Sequence, residues 1–149
     1  IPRQMFDVPI QAAVGTKTPA QRRIEVIGDR ACGWMSPDEY LLVMPYTEVP
    51  KALGALGKAL AGEHHLAVDV SDARAVFRIE GDKATDVLRK LLPVDFDTLA
   101  PGELRRSRAA QVAAAVWQQD GGYTLVCFRS VAAYVLGLLS HSAQAGSEL

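Results

Sequence analysis

Residues 117–130 read WQQDGGYTLVCFRS, and residues 34–47 read WMSPDEYLLVMPYT. Both hold a Trp, five residues, a Tyr, one residue, Leu-Val, and a Ser or Thr four residues after the Val. In the later copy Asp120-Gly121-Gly122 supplies a hairpin turn, and residues 123–128 form an apolar return strand. Val131, Val135, Leu138 and Leu139 then follow at helical spacing behind Ser130, a residue type that caps helices. The earlier copy is built the same way. Residues 39–44 (EYLLVM) form an apolar strand, Thr47 stands as N-cap, and Pro50 falls in the first turn, where a missing N–H costs little. Val49, Leu53, Leu56 and Leu60 complete that helix before Gly62. Trp34 aligns with Trp117, Tyr40 with Tyr123, Leu53 with Leu136 and Leu56 with Leu139, at a constant offset of 83 residues. Neither copy places a nucleophile beside a base, so the echo predicts architecture: hairpins that feed helices.

The same pattern extends outward. Residues 22–29 (RRIEVIGD) alternate, with Ile24 and Val26 on one face. Residues 65–70 and 73–80 read as two further strands; in the second, Ala75, Phe77 and Ile79 face one way and Arg74, Arg78 and Glu80 the other. Asp82 is expected to cap a helix carrying Ala84, Val87, Leu88 and Leu91, which Pro93 ends. Residues 94–104 form a loop with a Pro101-Gly102 turn, and residues 106–117 one long strand. The order is β-β-α three times. The expected fold is α+β, with two or three β-β-α units, an internal pseudo-repeat, and mostly antiparallel sheets with helices packed on one side. Residues 1–21 hold Pro2, Pro9, Gly15 and Pro19 without periodicity and read as an extended arm. Residues 22–143 read as a single domain, and residues 144–149 as a frayed tail.

Composition narrows the function. Apolar residues make up 49% and charged residues 22%, with a formal net charge of -1. That leaves no bulk basic field to hold nucleic acid, and Arg22-Arg23 and Arg105, Arg106 and Arg108 read as solvated strand ends. No apolar run reaches the ~20 residues that span a bilayer, and no signal-peptide pattern is visible. Cys32 and Cys127 lie far apart without a CxxC pair, which suits small buried hydrophobes in a reducing compartment such as the cytoplasm. His64 and His65 are adjacent on an expected strand and so point to opposite faces, and His141 stands near the chain end; none has metal-ligand spacing. Ser71 sits between Asp69 and Asp72 without a histidine base, and Asp95 and Asp97 share a loop. These residues predict no catalytic, cofactor or metal site in the chain.

Residues 69–105, DVSDARAVFRIEGDKATDVLRKLLPVDFDTLAPGELR, resemble the aminomethyltransferase (glycine-cleavage T-protein) superfamily of folate-binding domains. The likeness rests on the D-V-S at 69–71, Gly81, Leu88, Leu91-Leu92, Asp95, Pro101-Gly102 and Arg105. The strand that carries a catalytic aspartate in those enzymes here reads QVAAAVW, residues 111–117, without a carboxylate. Nothing matches the K-G-C-Y-x-G-Q motif of the related iron–sulfur maintenance proteins. Residues 69–81 (DVSDARAVFRIEG) and 117–139 are similar to the gamma subunit family of heterotetrameric sarcosine oxidase, whose ending Trp117, Asp120-Gly121, residues 123–128, Arg129-Ser130 and Ala132 fit; the resemblance covers most of residues 34–139. A departure is Gly-Asp-Lys-Ala at 81–84, where that family commonly has Gly-Pro-Gly-Ala.

The resemblance implies a non-catalytic subunit of a complex that oxidises sarcosine to glycine, releases hydrogen peroxide and passes the one-carbon unit to tetrahydrofolate as 5,10-methylenetetrahydrofolate. It implies alpha, beta and delta subunits as partners, with FAD, FMN, NAD and zinc carried by them. An alternative is a standalone folate or small-molecule binding module, for which Gln111 is the sole amide candidate on that strand. An active methylene transferase lacks the carboxylate that its proton transfer requires. A companion subunit should offer an apolar contact surface, and Met5, Phe6, Val8 and Ile10 of the N-terminal arm are the expected contacts.

Overall fold

A computed structural model describes residues 6–147. The chain divides between Ser71 and Asp72 into two compact units where the sequence suggested one domain. Strand pairing explains the division, because every strand finds its partners within its own unit.

The first unit opens with a helix, α1 (Asp7–Val14), not with an extended arm. Ile10, Ala13 and Val14 are buried and share one helical side. Pro9 is tolerated because first-turn N–H groups have no intrahelical partner. Asp7 favours the positive end of the helix, and Gly15, at φ 77, ends it by donating its N–H to the Gln11 carbonyl at 2.9 Å. Three antiparallel strands follow: β1 (Ile24–Ile27), β2 (Arg30–Ser36) and β3 (Glu39–Val43), in the order β1-β2-β3. A 3-10 turn (Tyr46–Glu48) leads into α2 (Val49–Ala59). Thr47 therefore lies inside that turn and does not cap the helix. The core joins Ile10, Ala13, Val14, Cys32, Ala52, Leu56 and Leu60, with Phe6, Tyr40, Leu42, Met44 and Ala67 packed against it. An ion pair between Arg30 and Glu48 ties the start of β2 to the 3-10 turn. Residues 65–70, expected as a strand, have no sheet neighbour and form none.

The second unit holds β4 (Arg74–Ile79), α3 (Ala84–Arg89), β5 (Leu104–Ala109), β6 (Val112–Gln119), β7 (Gly122–Phe128) and α4 (Ala132–Ser142), with a 3-10 turn at Arg129–Val131. Its sheet has the order β4-β7-β6-β5, all antiparallel. The expected long strand over 106–117 is a hairpin instead. It turns at Ala110-Gln111, with Ala110 at φ 49 and its N–H donated to the Leu91 carbonyl at 2.8 Å. One sheet face places Ala75, Ala114, Val116, Tyr123, Leu125 and Cys127 against Ala84, Val87 and Leu88 of α3 and Val135 and Leu139 of α4. Phe96 meets Tyr123 edge-on at 5.4 Å, and the Tyr123 hydroxyl bonds Thr85 at 2.9 Å. On the other face Arg74 lies 4.3 Å from the centre of the Phe128 ring, and Arg78 donates to Thr124 at 3.2 Å and to the Gln119 carbonyl at 2.9 Å. The helix caps expected at Asp82 and Ser130 make no side-chain cap bond; α3 starts at Ala84 and α4 at Ala132. Residues 144–147, expected to fray, are tied back. Lys90 donates to the Ser142 carbonyl and to Ser147 Oγ, each at 3.0 Å.

Both units run three antiparallel strands into a 3-10 turn and an eleven-residue helix. Ser36 faces Glu39 across the first hairpin, and Gln119 faces Gly122 across the second, 83 residues later. The 3-10 turns and α2 and α4 keep the same spacing. The tryptophans differ in setting. Trp34 pairs with Tyr40 beside a strand irregularity and is half-buried, whereas Trp117 pairs with Thr124 and is buried.

The second hairpin yields a direct test. Asp120 (φ 47) and Gly121 (φ 73) make the left-handed pair that a two-residue hairpin turn requires. A Cβ on Gly122 would stand 2.6 Å from the Ile79 carbonyl oxygen, which belongs to the backbone and cannot swing aside. Gly122→Ala is expected to destabilise the chain by about 1–3 kcal/mol, the range for overpacking, in urea denaturation. A loss below about 0.3 kcal/mol would show that β4 and β7 separate easily here.

Candidate functional site

Several of the residues singled out for chemistry are held by local partners. Ser71 donates its hydroxyl to Asp69 Oδ1 at 2.5 Å and its backbone N–H to the same oxygen at 2.9 Å. These bonds hold the Asp69 carboxyl below its usual range and make the segment a local turn. Asp95 accepts the Asp97 N–H at 3.0 Å, while Asp97 pairs with Arg89, so the two carboxylates do not face each other as an acid–base pair. His65 Nδ1 lies 2.9 Å from the Glu63 carbonyl oxygen, and His64 and His141 are exposed. Gln111, the amide candidate for a pterin edge, is exposed at the β5–β6 turn. Trp117 Nε1 donates to Gln119 Oε1 at 3.1 Å.

The two cysteines are free and buried. Burial pushes the Cys32 thiol from 9.0 up to about 12, and burial also raises Cys127. A thiol whose folded pKa exceeds its unfolded value stabilises the fold below the unfolded value. That contribution from Cys32 is lost as pH rises from 9.0 through about 12. Neither thiol should react with a thiol-specific reagent at pH 8 in the native chain, and both should react in denaturant. Rapid native labelling of Cys32 would contradict its placement in the first core.

Among the described residues no group of three His, Cys, Asp or Glu side chains could hold a metal ion. No helix among them is long and apolar enough to cross a membrane. The geometry points instead to surfaces. Of the expected N-terminal contacts, Met5 lies outside the described residues. Ile10 is 2% exposed within the first core, because the segment is helical and turns Ile10 inward. Phe6 packs against that core, with its ring 5.5 Å from Tyr40. Val8 keeps an open side chain at 74% exposure. Apolar side chains are also bare on α4, where Tyr134 and Leu136 are exposed. The sequence reading named Val131, Val135, Leu138 and Leu139 on this helix and assigned no role in contact to Tyr134 or Leu136.

Known proteins resemble this chain over most of its length. The model of the sarcosine oxidase, gamma subunit family matches residues 3–145. The sarcosine oxidase subunit gamma of Corynebacterium sp. (strain U-96) is 38% identical over 112 residues, which cover 73% of this chain and 52% of the relative. The match thus spans about half of that relative's length. A solved structure, heterotetrameric sarcosine oxidase from Corynebacterium sp. U-96 in complex with pyrrole 2-carboxylate, matches with a TM-score of 0.87 and 24% identity. That match covers 100% of this chain and 78% of the solved one, and at this identity it establishes the fold. With a family match over nearly all of its length, the chain belongs to the sarcosine oxidase gamma subunit family.

Proposed function

We propose that this chain is the gamma subunit of a heterotetrameric sarcosine oxidase and takes no part in its chemistry. The observation that carries the reading is the family match over residues 3–145. The local pairing of Ser71 with Asp69 and of Asp97 with Arg89 supports it, because general acid–base and nucleophilic catalysis need groups free to reach a reacting atom. In this reading the complex oxidises sarcosine to glycine, with hydrogen peroxide and 5,10-methylenetetrahydrofolate as its other products. The alpha, beta and delta subunits carry FAD, FMN, NAD and zinc, and the assembly works in the cytoplasm. Val8 is the N-terminal residue still placed to touch a partner. The two units are read as diverged copies of one β-β-β-α module, related to the aminomethyltransferase-like folate-binding fold. Their shared offset of 83 residues supports this.

The purified chain alone tests the non-catalytic part. It should show no flavin absorbance and release no peroxide on addition of sarcosine. A visible flavin band retained through purification, or sarcosine-dependent peroxide, would assign chemistry to the chain. The alternative of a folate-binding module predicts saturable quenching of its tryptophan fluorescence by tetrahydrofolate.

A further inference from the structure

From Val131 to Ser140 no residue carries a charge. α4 buries Val135, Leu139 and Ser142, which share one side of the helix. The opposite side presents Ala133, Leu136, Gly137 and Ser140, all exposed, with Tyr134 flanking them. Leu136 is 53% exposed and Tyr134 44%. A surface helix ordinarily turns charged residues toward water on this side. α2, of the same length and at the same position in the first unit, does so with exposed Lys51 and Lys58. α4 is therefore apolar on both sides, although its own unit covers only one.

Gly137 lies on this face, and it is the uncharged side chains around it that distinguish α4 from α2, whose Gly54 and Gly57 are equally open. Glycine weakens a helix interior relative to alanine. Nothing lies within 4 Å of the place a Cβ would occupy, and the residue does not have a positive φ. Neither its own backbone nor its own packing requires glycine there. Flanked by Ala133 one turn earlier, it leaves bare backbone that another chain can approach closely.

We propose that the face formed by Ala133, Tyr134, Leu136 and Gly137 docks on an uncharged, apolar surface of one of the larger sarcosine oxidase subunits, with Gly137 at the point of closest approach. The proposal rests on the reading of the chain as a gamma subunit. The family is one of subunits, and the solved relative of this fold is a heterotetramer. A face without charge leaves a charged partner surface desolvated and unpaired, so its partner must be apolar. Aromatic and aliphatic anchors at the centre of such a contact carry most of its energy.

The test uses the full chain co-expressed with the large subunits. Leu136→Lys places a charge on an exposed helix position and should leave the melting of the isolated chain unchanged. It should weaken association at least ~10-fold, as expected for loss of a central anchor. Gly54→Lys, the counterpart of Gly137 on α2, should leave association intact. Hydrogen exchange in the unmutated chain gives an answer independent of how variants fold: amides of α4 should exchange more slowly in the complex than in the free chain. Unchanged assembly of Leu136→Lys, or equal exchange in the two states, overturns the proposal. A self-associated chain that Leu136→Lys makes monomeric would assign the face to a second copy and also overturn it. If the unmutated chain fails to associate at all, the subunit reading itself falls.

Discussion

Leu125→Ala should lower the stability of the chain by about 2–5 kcal/mol, the range for emptying a packed aliphatic site. Leu125 is fully buried on β7, one of the two inner strands of the second sheet. It stands opposite Phe77 on β4 and Val116 on β6, under the two helices of that core. Three elements would have to move together to close the cavity, which places the expected loss in the upper part of the range. Urea denaturation followed by far-ultraviolet circular dichroism measures it. A loss under about 1 kcal/mol would mean that the site collapses easily and that the second core is loosely packed.

Ile10→Ala should cost about 2–4 kcal/mol for the same reason, and Val8→Ala should stay within about 0.5 kcal/mol. The contrast matters more than either value. An extended arm awaiting a partner would show little effect at both positions. Ile10 is 2% exposed and lies with Ala13, Val14, Cys32, Ala52, Leu56 and Leu60, while Val8 points to water. The first unit should lose its cooperative transition, or unfold earlier, when residues 1–12 are deleted. Equal and negligible effects of the two substitutions would restore the N-terminal segment as a free contact arm.

How far the fold could be read depended on whether local chemistry announced each turn. The β6–β7 hairpin was legible because Asp120-Gly121 supplies positive φ at two successive positions. The β5–β6 hairpin was not, because Ala110 takes φ 49 without a glycine or asparagine to signal it. The alternation of residues 73–80 correctly assigned Phe77 and Ile79 to the core and Arg74 and Arg78 to the opposite face. β2 escaped notice because RACGWMS mixes small, polar and aromatic residues, and its central place gives it neighbours on both edges. Residues 65–70 alternate as a strand should, yet no strand edge pairs with them. α1 was hidden by its prolines and by alanine, a weak apolar signal, although Ile10, Ala13 and Val14 keep helical spacing.

The site was legible to a different degree. The family resemblance rested on residues 69–81 and 117–139, and the family model matches residues 3–145. The exposure of the expected contacts was only partly legible, because an apolar residue in a sequence does not say whether its own chain covers it. Ile10 was expected to be bare and is core, while Leu136, outside the expected apolar stripe of its helix and not offered as a contact, is bare. Only the three-dimensional packing separates the two sides of a helix that is apolar all round.

The central claim is that this chain works as an assembled, non-catalytic subunit. Native mass spectrometry of the tagged chain, co-expressed with the large sarcosine oxidase subunits of the same organism, tests it most directly. One copy of this chain is expected in a complex with the other subunits, with flavin and sarcosine-dependent peroxide production found in the complex and not in the chain alone. A chain recovered free of the large subunits, while those subunits assemble into an active enzyme without it, would contradict the account.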